Sequence, residues 1–446
     1  MKYLGTIIKR AMPGGLLAVA LLAAAPAIAR QKISMWFWGA SPAYQQALED
    51  NLVTPFNRSQ NQYELQIEYR ISVDNDIRVA AIAGRGPDLI YTSGPTNVMP
   101  LAKAGKLEPL DAYDRKYGWS ERLLPALLNT CRQAGRLYCM APCLATIGMF
   151  YNKAVLAENG WPVPRTGKEV EAIMRAAQAK GMYASVTGNA GWQPVNEDYV
   201  TVFLNQIAGP DYLYSLLTGH GDWTSPSMVN SMTELKRWYQ SGFLGGSDYF
   251  ALGFDSALEL LQKRRSPFLF GPSYVYQWAG TYFHGADADN LGFAPFPQLN
   301  SSMPYPLYSI GSPFTYSINA NSKVKDGAAM VLNTMMSPAY AVAMAKVWPG
   351  YWAIPLKHFP ADPSANGITK SYYQAMTAIT DEVDKGRFGY EIYAFFPSLS
   401  ADIFIQDVEA VWVDRESPQQ MLSKAGRAFS DKYKRGLTQQ VTPASF

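Results

Sequence analysis

The sequence predicts an α/β protein of two lobes joined by a multi-strand hinge, with a central cleft between them. Three observations carry this. Two strand-then-helix units follow one another near the start of the chain, which argues for a largely parallel sheet. Residues 77–113 set a short apolar run, Leu89-Ile90-Tyr91, between an Ala-rich helix and a polar loop, Thr92-Ser93-Gly94-Pro95. Short strands return near residues 291–320 within a mainly helical second half, so the chain crosses between two sheets several times.

The first residues read as a targeting segment. Lys2, Lys9 and Arg10 are basic, Leu16 to Ala25 is apolar, and Ala27-Ile28-Ala29 is an A-x-A cleavage pattern. Residues 1–29 therefore read as a signal peptide, with Arg30 as the first mature residue. The apolar run falls short of the ~20 residues that span a bilayer, and no Cys near the cleavage site suggests a lipid anchor. The mature chain is expected free in an exported compartment, most simply a bacterial periplasm. Removing three basic residues takes the formal charge from +3 to about 0. No Lys/Arg stripe remains, so nucleic acid is not an expected partner. The rest of the chain is long enough for two or three domains. Its 11 Trp, 28 Tyr and 20 Phe permit a stacking site without requiring one.

The elements follow in order. Lys32 to Trp38 reads as the first strand, with Gly39-Ala40-Ser41-Pro42 as the loop after it. Tyr44 to Asn57 reads as a helix and Glu64 to Ile71 as a second strand. The next helix ends at Gly84, because Gly86 and Pro87 force a turn before Asp88 and the third strand. A loop at the carboxyl end of such a strand lies where open α/β sheets bind ligands, which marks residues 92–97. Residues 136–152 form an extended run broken by Pro142 that suits a crossover between lobes. Helices are expected at 167–180, capped by Thr166, at 196–208, and at 225–241, opened by Ser225-Pro226. Strands are expected at 265–271, 291–296 and 314–320, and helices over 324–347 and most of 368–434.

Cys131, Cys139 and Cys143 lie close together, and Ala134-Gly135 reads as a hairpin turn between the first two. Export permits a disulfide, and a hairpin favours Cys131–Cys139 over Cys139–Cys143 along one extended strand. The third thiol is expected free and buried. His220, His284 and His358 are the only histidines and none is near these cysteines, so no metal site is expected. Nor does any cofactor motif occur.

In this order the segments KISMWFWG, AAIAGRGPDLIY, PLAKAGKLEPLDAY, MFYNKAVLAENGWPVPRTGKEVEAI, SALELLQKRRSPFLFGPSY, LGFAPFPQ and PGYWAIP resemble the extracellular solute-binding protein family 1, the sugar-type substrate-binding subunits of ABC importers. The resemblance spans nearly the whole mature chain. It implies a type II periplasmic binding fold that encloses ligand by domain closure. It implies crossings near 140–146, 293–300 and 336–342, an N-terminal lobe of 30–142 plus 297–338, and a C-terminal lobe of 143–296 plus 339–446. It also implies a monomer that delivers its solute to the transmembrane subunits of an ABC permease. Two departures stand out. Arg264-Arg265-Ser266-Pro267 replaces a common Gly turn, and Ser273-Tyr274 stands where some members place Trp after Gly-Pro.

A sugar cleft needs flat apolar rings and a few convergent polar groups. Trp38 ends the first strand and points to the cleft rim, whereas Trp36 reads as core. Thr92 and Ser93 offer hydroxyls after the third strand, and Thr146 offers one on the crossover. Trp192 lies in a Gly/Asn-rich stretch before a helix. Ser273 and Tyr274 follow a strand at the position where the family stacks a ring. Tyr351 and Trp352 share a tight turn near the expected hinge, where one reaches ligand and the other packs. Phe395 and Phe396 are weaker candidates, and Trp119, Trp161, Trp238 and Trp412 read as core. Arg264-Arg265 sits on the side away from the cleft and reads as a solvated turn. Without a phosphate or carboxylate clamp, the expected ligand is a neutral sugar or oligosaccharide.

The chain is expected to perform no chemistry. A secreted carbohydrate-active enzyme would need two positioned carboxylates; Glu197-Asp198, Asp381-Glu382 and Asp402 are acidic, but no pattern pairs them. The sequence lacks G-x-S-x-G and H-E-x-x-H. A binding protein for another polyol-like or anionic solute, such as a sugar phosphate ester, is the remaining alternative.

Overall fold

The computed structural model describes residues 29–446. The signal peptide read at 1–29 lies, but for its last residue, outside them. Strand β1 (Gln31–Trp38) buries Ile33, Met35 and Phe37 on alternate positions, as its alternation predicts. It pairs in parallel with β2 (Tyr63–Arg70) from Gln31↔Tyr63 to Trp38↔Arg70, and with β3 (Leu89–Thr92) at Met35↔Leu89. A hairpin of β4 (Arg132–Gln133) and β5 (Arg136–Leu137) follows. The second sheet is centred on β6 (Ala145–Asn152), which runs antiparallel to β7 (Phe268–Pro272), β8 (Leu291–Pro295) and β9 (Ser309–Gly311). Strand β10 (Thr315–Ile318) returns to the first sheet beside β3, and β11 (Gly389–Tyr390) joins the second beside β9.

The first three strands pair in parallel, as do β9 and β11; the second sheet is otherwise antiparallel, unlike the largely parallel arrangement the two opening units suggest. The hairpin at Ala134-Gly135 forms, and Cys131 is bonded to Cys139 with their Cα atoms 5.0 Å apart. Cys143 is free and buried.

Local sequence explains the helix starts. Thr166 makes a reciprocal capping box with Glu169 at the head of the helix Gly167–Ala179. Ser225 accepts from the Met228 backbone before Pro226–Gln240. The expected helix at 324–347 is two helices, Lys325–Met335 and Pro338–Val347, because Ser337-Pro338 caps a new start. Among the described residues, no single helix is long and apolar enough to cross a membrane.

Met140 still bridges Tyr316 on the first sheet, and five residues later β6 begins the second. Gln298 bridges Thr166 and β9 pairs with β6, so residues 298–311 stay with the second sheet and the chain crosses between Gly311 and Thr315. Residues 339–357 remain on the first lobe, where Leu356 bridges Leu123 and Leu124 donates to the Pro355 carbonyl. A three-residue strand such as β9 leaves no periodic trace in sequence. The two lobes touch directly. Tyr44, from the first lobe, donates to the Gln277 carbonyl of the second at 3.2 Å, and the Trp348 indole donates to the Gln277 side chain at 2.9 Å.

Candidate functional site

The carboxyl ends of β1 and β3 and the start of the segment after β7 converge where the lobes meet. Trp38, last in β1, donates from its indole nitrogen to the Tyr351 hydroxyl at 2.5 Å. Tyr351 is sandwiched between Phe314 and Trp348, each stacked with centroids 4.5 Å away, and Tyr44 stacks on the far face of Trp348 at 3.9 Å. Four rings thus form one column beside Trp38. Burial pushes the Tyr351 hydroxyl well above the ordinary tyrosine range, so it stays protonated.

The second lobe contributes its own rings. Tyr274 meets Trp192 edge-on at 6.2 Å and Phe254 edge-on at 6.3 Å, and Phe254 stacks on Trp278 at 5.2 Å. Tyr274 is buried, but Trp192 remains 37 % exposed. The two aromatic groups touch through backbone. Gly350 has φ +86°, and a Cβ there would come within 2.9 Å of the Tyr274 Cα. Only glycine lets the turn carrying Tyr351 seat on Tyr274.

The polar candidates divide. Thr92 shares a 2.6 Å hydrogen bond with Thr315 and donates to the Gly94 carbonyl at 3.2 Å, so its hydroxyl ties β3 to β10. Its residue nevertheless lines a cavity of about 470 Å³ whose walls include Asp74, Arg78, Asn97 and Ser398. Ser93 is held by Asp74, through its backbone at 2.8 Å and through its hydroxyl. Ser273 accepts from the Thr146 backbone at 3.2 Å and so fastens the crossover strand to β7. The Thr146 hydroxyl is buried without a partner among the described residues. Of the pair in the turn, Tyr351 reaches Trp38, while Trp352 is buried against Phe37 and Tyr340 and belongs to the core. Trp36 is half-buried and carries the Arg70 guanidinium 3.5 Å over its ring, rather than packing in the core. Phe395 and Phe396 are buried. Arg264 ion-pairs with Glu158 at the surface.

Sequence reasoning missed the acidic centre. Glu197, Asp198 and Glu391 are each buried, and each offers an oxygen within 4.8 Å of the others. Glu197 accepts from Thr201 at 3.0 Å. Oδ2 of Asp198 and Oε2 of Glu391 have no hydrogen-bond partner among the described residues. Burial pushes the Glu197 carboxyl up to about 8 and holds Asp198 and Glu391 well above the usual carboxylate range. The negative charge of all three reaches Tyr274, whose hydroxyl is pushed up by burial and then by Asp198, Glu391 and Glu197. Among the described residues this is the one His/Cys/Asp/Glu group with metal-like spacing. Tyr393, two positions on from Glu391, fits against Gly94, where a Cβ would lie 3.2 Å from its ring. Glu391 stands alone in the apolar run FGYEIYAFF, and that is the one sequence signal that could have found it.

Comparison with known proteins adds to this geometry. The family described as bacterial extracellular solute-binding protein matches residues 39–342. A maltotriose-binding protein of Pyrococcus abyssi is 29% identical over 111 residues, 25% of this chain and 23% of that one. A diacetylchitobiose binding protein of Streptomyces coelicolor is 24% identical over 131 residues, 28% of each chain. The alignments thus span only about a quarter of these curated relatives. Among solved structures, a chitin oligosaccharide binding protein superposes with a TM-score of 0.73 at 16% identity, covering 90% of this chain and 98% of that one. A putative binding protein of Bacillus subtilis in an open conformation gives 0.69 at 16% identity, covering 91% and 98%. At that identity the likeness speaks for the fold.

Proposed function

Because the chain belongs to the bacterial extracellular solute-binding protein family, we propose that it captures a carbohydrate between its two lobes and hands it to a membrane permease of the ABC type. The observation that carries the reading is that the turn holding Tyr351, which bonds Trp38 on the first lobe, seats on Tyr274, whose ring meets Trp192 on the second. Sugars present C–H faces that stack on such rings and hydroxyls that need polar partners. Rings drawn from two bodies grip a ligand only when the bodies close. Ligand therefore stabilises the closed form by its differential affinity for it. Tyr44 and Trp348, both bonded to Gln277, fasten that form at the rim. Proteins matched in sequence carry names that include maltotriose and diacetylchitobiose, which supports an oligosaccharide class.

The chain acts by binding alone in this reading. Export to the periplasm and a monomeric state belong to the same proposal. The test is thermal shift and calorimetry of the mature protein against mono- and oligosaccharides. A native-state ligand raises the melting temperature by mass action. One saturable hit, recovered chemically unchanged, is expected; no hit from any carbohydrate, or release of a cleaved product, overturns the reading.

A further inference from the structure

Resting on the carbohydrate-binding reading, we propose that the bound sugar carries a primary ammonium group, which seats among Glu197, Asp198 and Glu391. The three carboxyls come from two distant parts of the chain, the helix Asn196–Phe203 and the residue after β11, which the second lobe brings together. All three are at least 97 % buried, with exposures of 1 %, 1 % and 3 %. Among the described residues no Lys, Arg or His forms an ion pair with any of them; the 4.0 Å ion pairs all lie elsewhere. Buried acids without a counter-charge are costly, and a neighbouring acid raises the cost.

The hydrogen bonding is incomplete in a specific way. Asp198 Oδ2 and Glu391 Oε2 are shielded and have no donor, although buried polar atoms are nearly always paired. Each of the three residues offers one carboxylate oxygen to a set whose members lie within 4.8 Å of one another. An ammonium group brings three N–H donors and one positive charge to one point, which matches three acceptors around one point. Tyr274, whose hydroxyl feels all three carboxyls, joins them to the ring cluster with Trp192. Aromatic rings beside carboxylates suit an organic cation, whose charge they attract and whose apolar body they cover. A bare calcium ion fits less well, because it takes about six to eight oxygens and this cluster presents three side chains. A neutral sugar would leave the carboxyls to keep their protons. An ammonium replaces those protons, so binding must release protons to the solvent.

Matched trios of sugars that differ only at C2, with amine, acetamide or hydroxyl, distinguish these cases. They are titrated calorimetrically into the mature protein at pH 6.5, in the gluco and galacto series, as monomers and as β-1,4 oligomers. Two buffers of different ionisation enthalpy report protons released. The amine member of one trio is expected to bind at least about tenfold tighter than its acetamide and hydroxyl partners, with release on the order of one proton. Asp198→Asn is expected to abolish that preference, bringing the three members of the trio within a few-fold of one another. The proton count on the unaltered protein decides the matter should the variant fold poorly. Equal or tighter binding of an acetamide or hydroxyl member, or no proton release, overturns the ammonium while leaving carbohydrate capture intact. A melting-temperature rise with calcium chloride and none with amines also overturns it, in favour of a metal. Binding to no carbohydrate at all overturns the underlying reading instead.

Discussion

The indole nitrogen of Trp38 and the hydroxyl of Tyr351 meet at 2.5 Å, joining the last residue of the first strand to a turn 313 positions later. Between them the chain visits the second sheet and returns. The bond therefore reports whether both parts are in place, and several expectations start from it.

Tyr351→Phe keeps the ring in its column between Phe314 and Trp348 but removes the acceptor for Trp38. Loss of one such bond costs about 1 kcal/mol. Calorimetry should read ligand affinity reduced by about three- to tenfold, with a melting temperature within a few degrees of the parent.

Trp192→Ala removes a partly exposed ring that only borders the second cluster. Affinity should fall about tenfold or more while the fold survives. Tyr274→Ala should weaken binding as much and also lower stability, because this ring is buried. Unchanged affinity in both variants would mean that the sugar sits elsewhere.

Stability should fall with rising pH across the neutral range. Glu197 has its pKa raised from 4.5 to about 8, so the folded protein holds that proton where the unfolded chain has lost it. The stability is fully present below pH about 4.5 and is lost progressively as pH rises to about 8. Asp198 and Glu391 shift in the same direction. Melting temperatures of the ligand-free protein from pH 5 to 8 should decline, and Glu197→Gln should flatten the slope. A rise over that range would show that exposed groups outweigh the cluster.

The Cys131–Cys139 bridge closes a short loop, with a sequence separation of 8. A loop of that size corresponds to roughly 2.5 kcal/mol in the chain-entropy account. Cys131→Ser with Cys139→Ser should therefore melt several degrees lower. Cys143 is buried and its thiol is pushed up by burial, so a thiol reagent should find no reactive group in the native protein and one per chain after unfolding under non-reducing conditions.

Tyr44→Phe removes the hydroxyl that reaches Gln277 across the lobes while keeping the ring stacked on Trp348. The closed form should lose population, and ligand dissociation should quicken by about three- to fivefold in stopped-flow fluorescence. An unchanged rate would place the closing contacts elsewhere.

The strands and caps were legible because their signals are local. Alternation exposes β1, the Pro87 turn sets off β3, and Thr166 with Glu169 announces a helix. The rings of the site were legible in part, since Trp38 and Tyr351 sit at a strand end and a tight turn. The acidic centre was not. Glu197 and Asp198 occupy a first helical turn, where carboxylates ordinarily favour the helix dipole and face water. Their burial depends on Glu391, nearly two hundred positions away. The bond between Thr92 and Thr315 was hidden for the same reason, since the two are 223 positions apart.

Neither sheet is continuous in the chain, and this bears on how the protein is made. β3 acquires its neighbour β10 only after the whole core of the second sheet has been synthesised, with Thr92 and Thr315 separated by 223 positions. The last residues matter too: Gln440 donates to the Arg132 carbonyl on the first lobe, and Ser445 to the Gly386 carbonyl on the second. A growing polypeptide therefore has no finished lobe to lock into until nearly its full length is available. Such a chain commits to its native form only late in its synthesis.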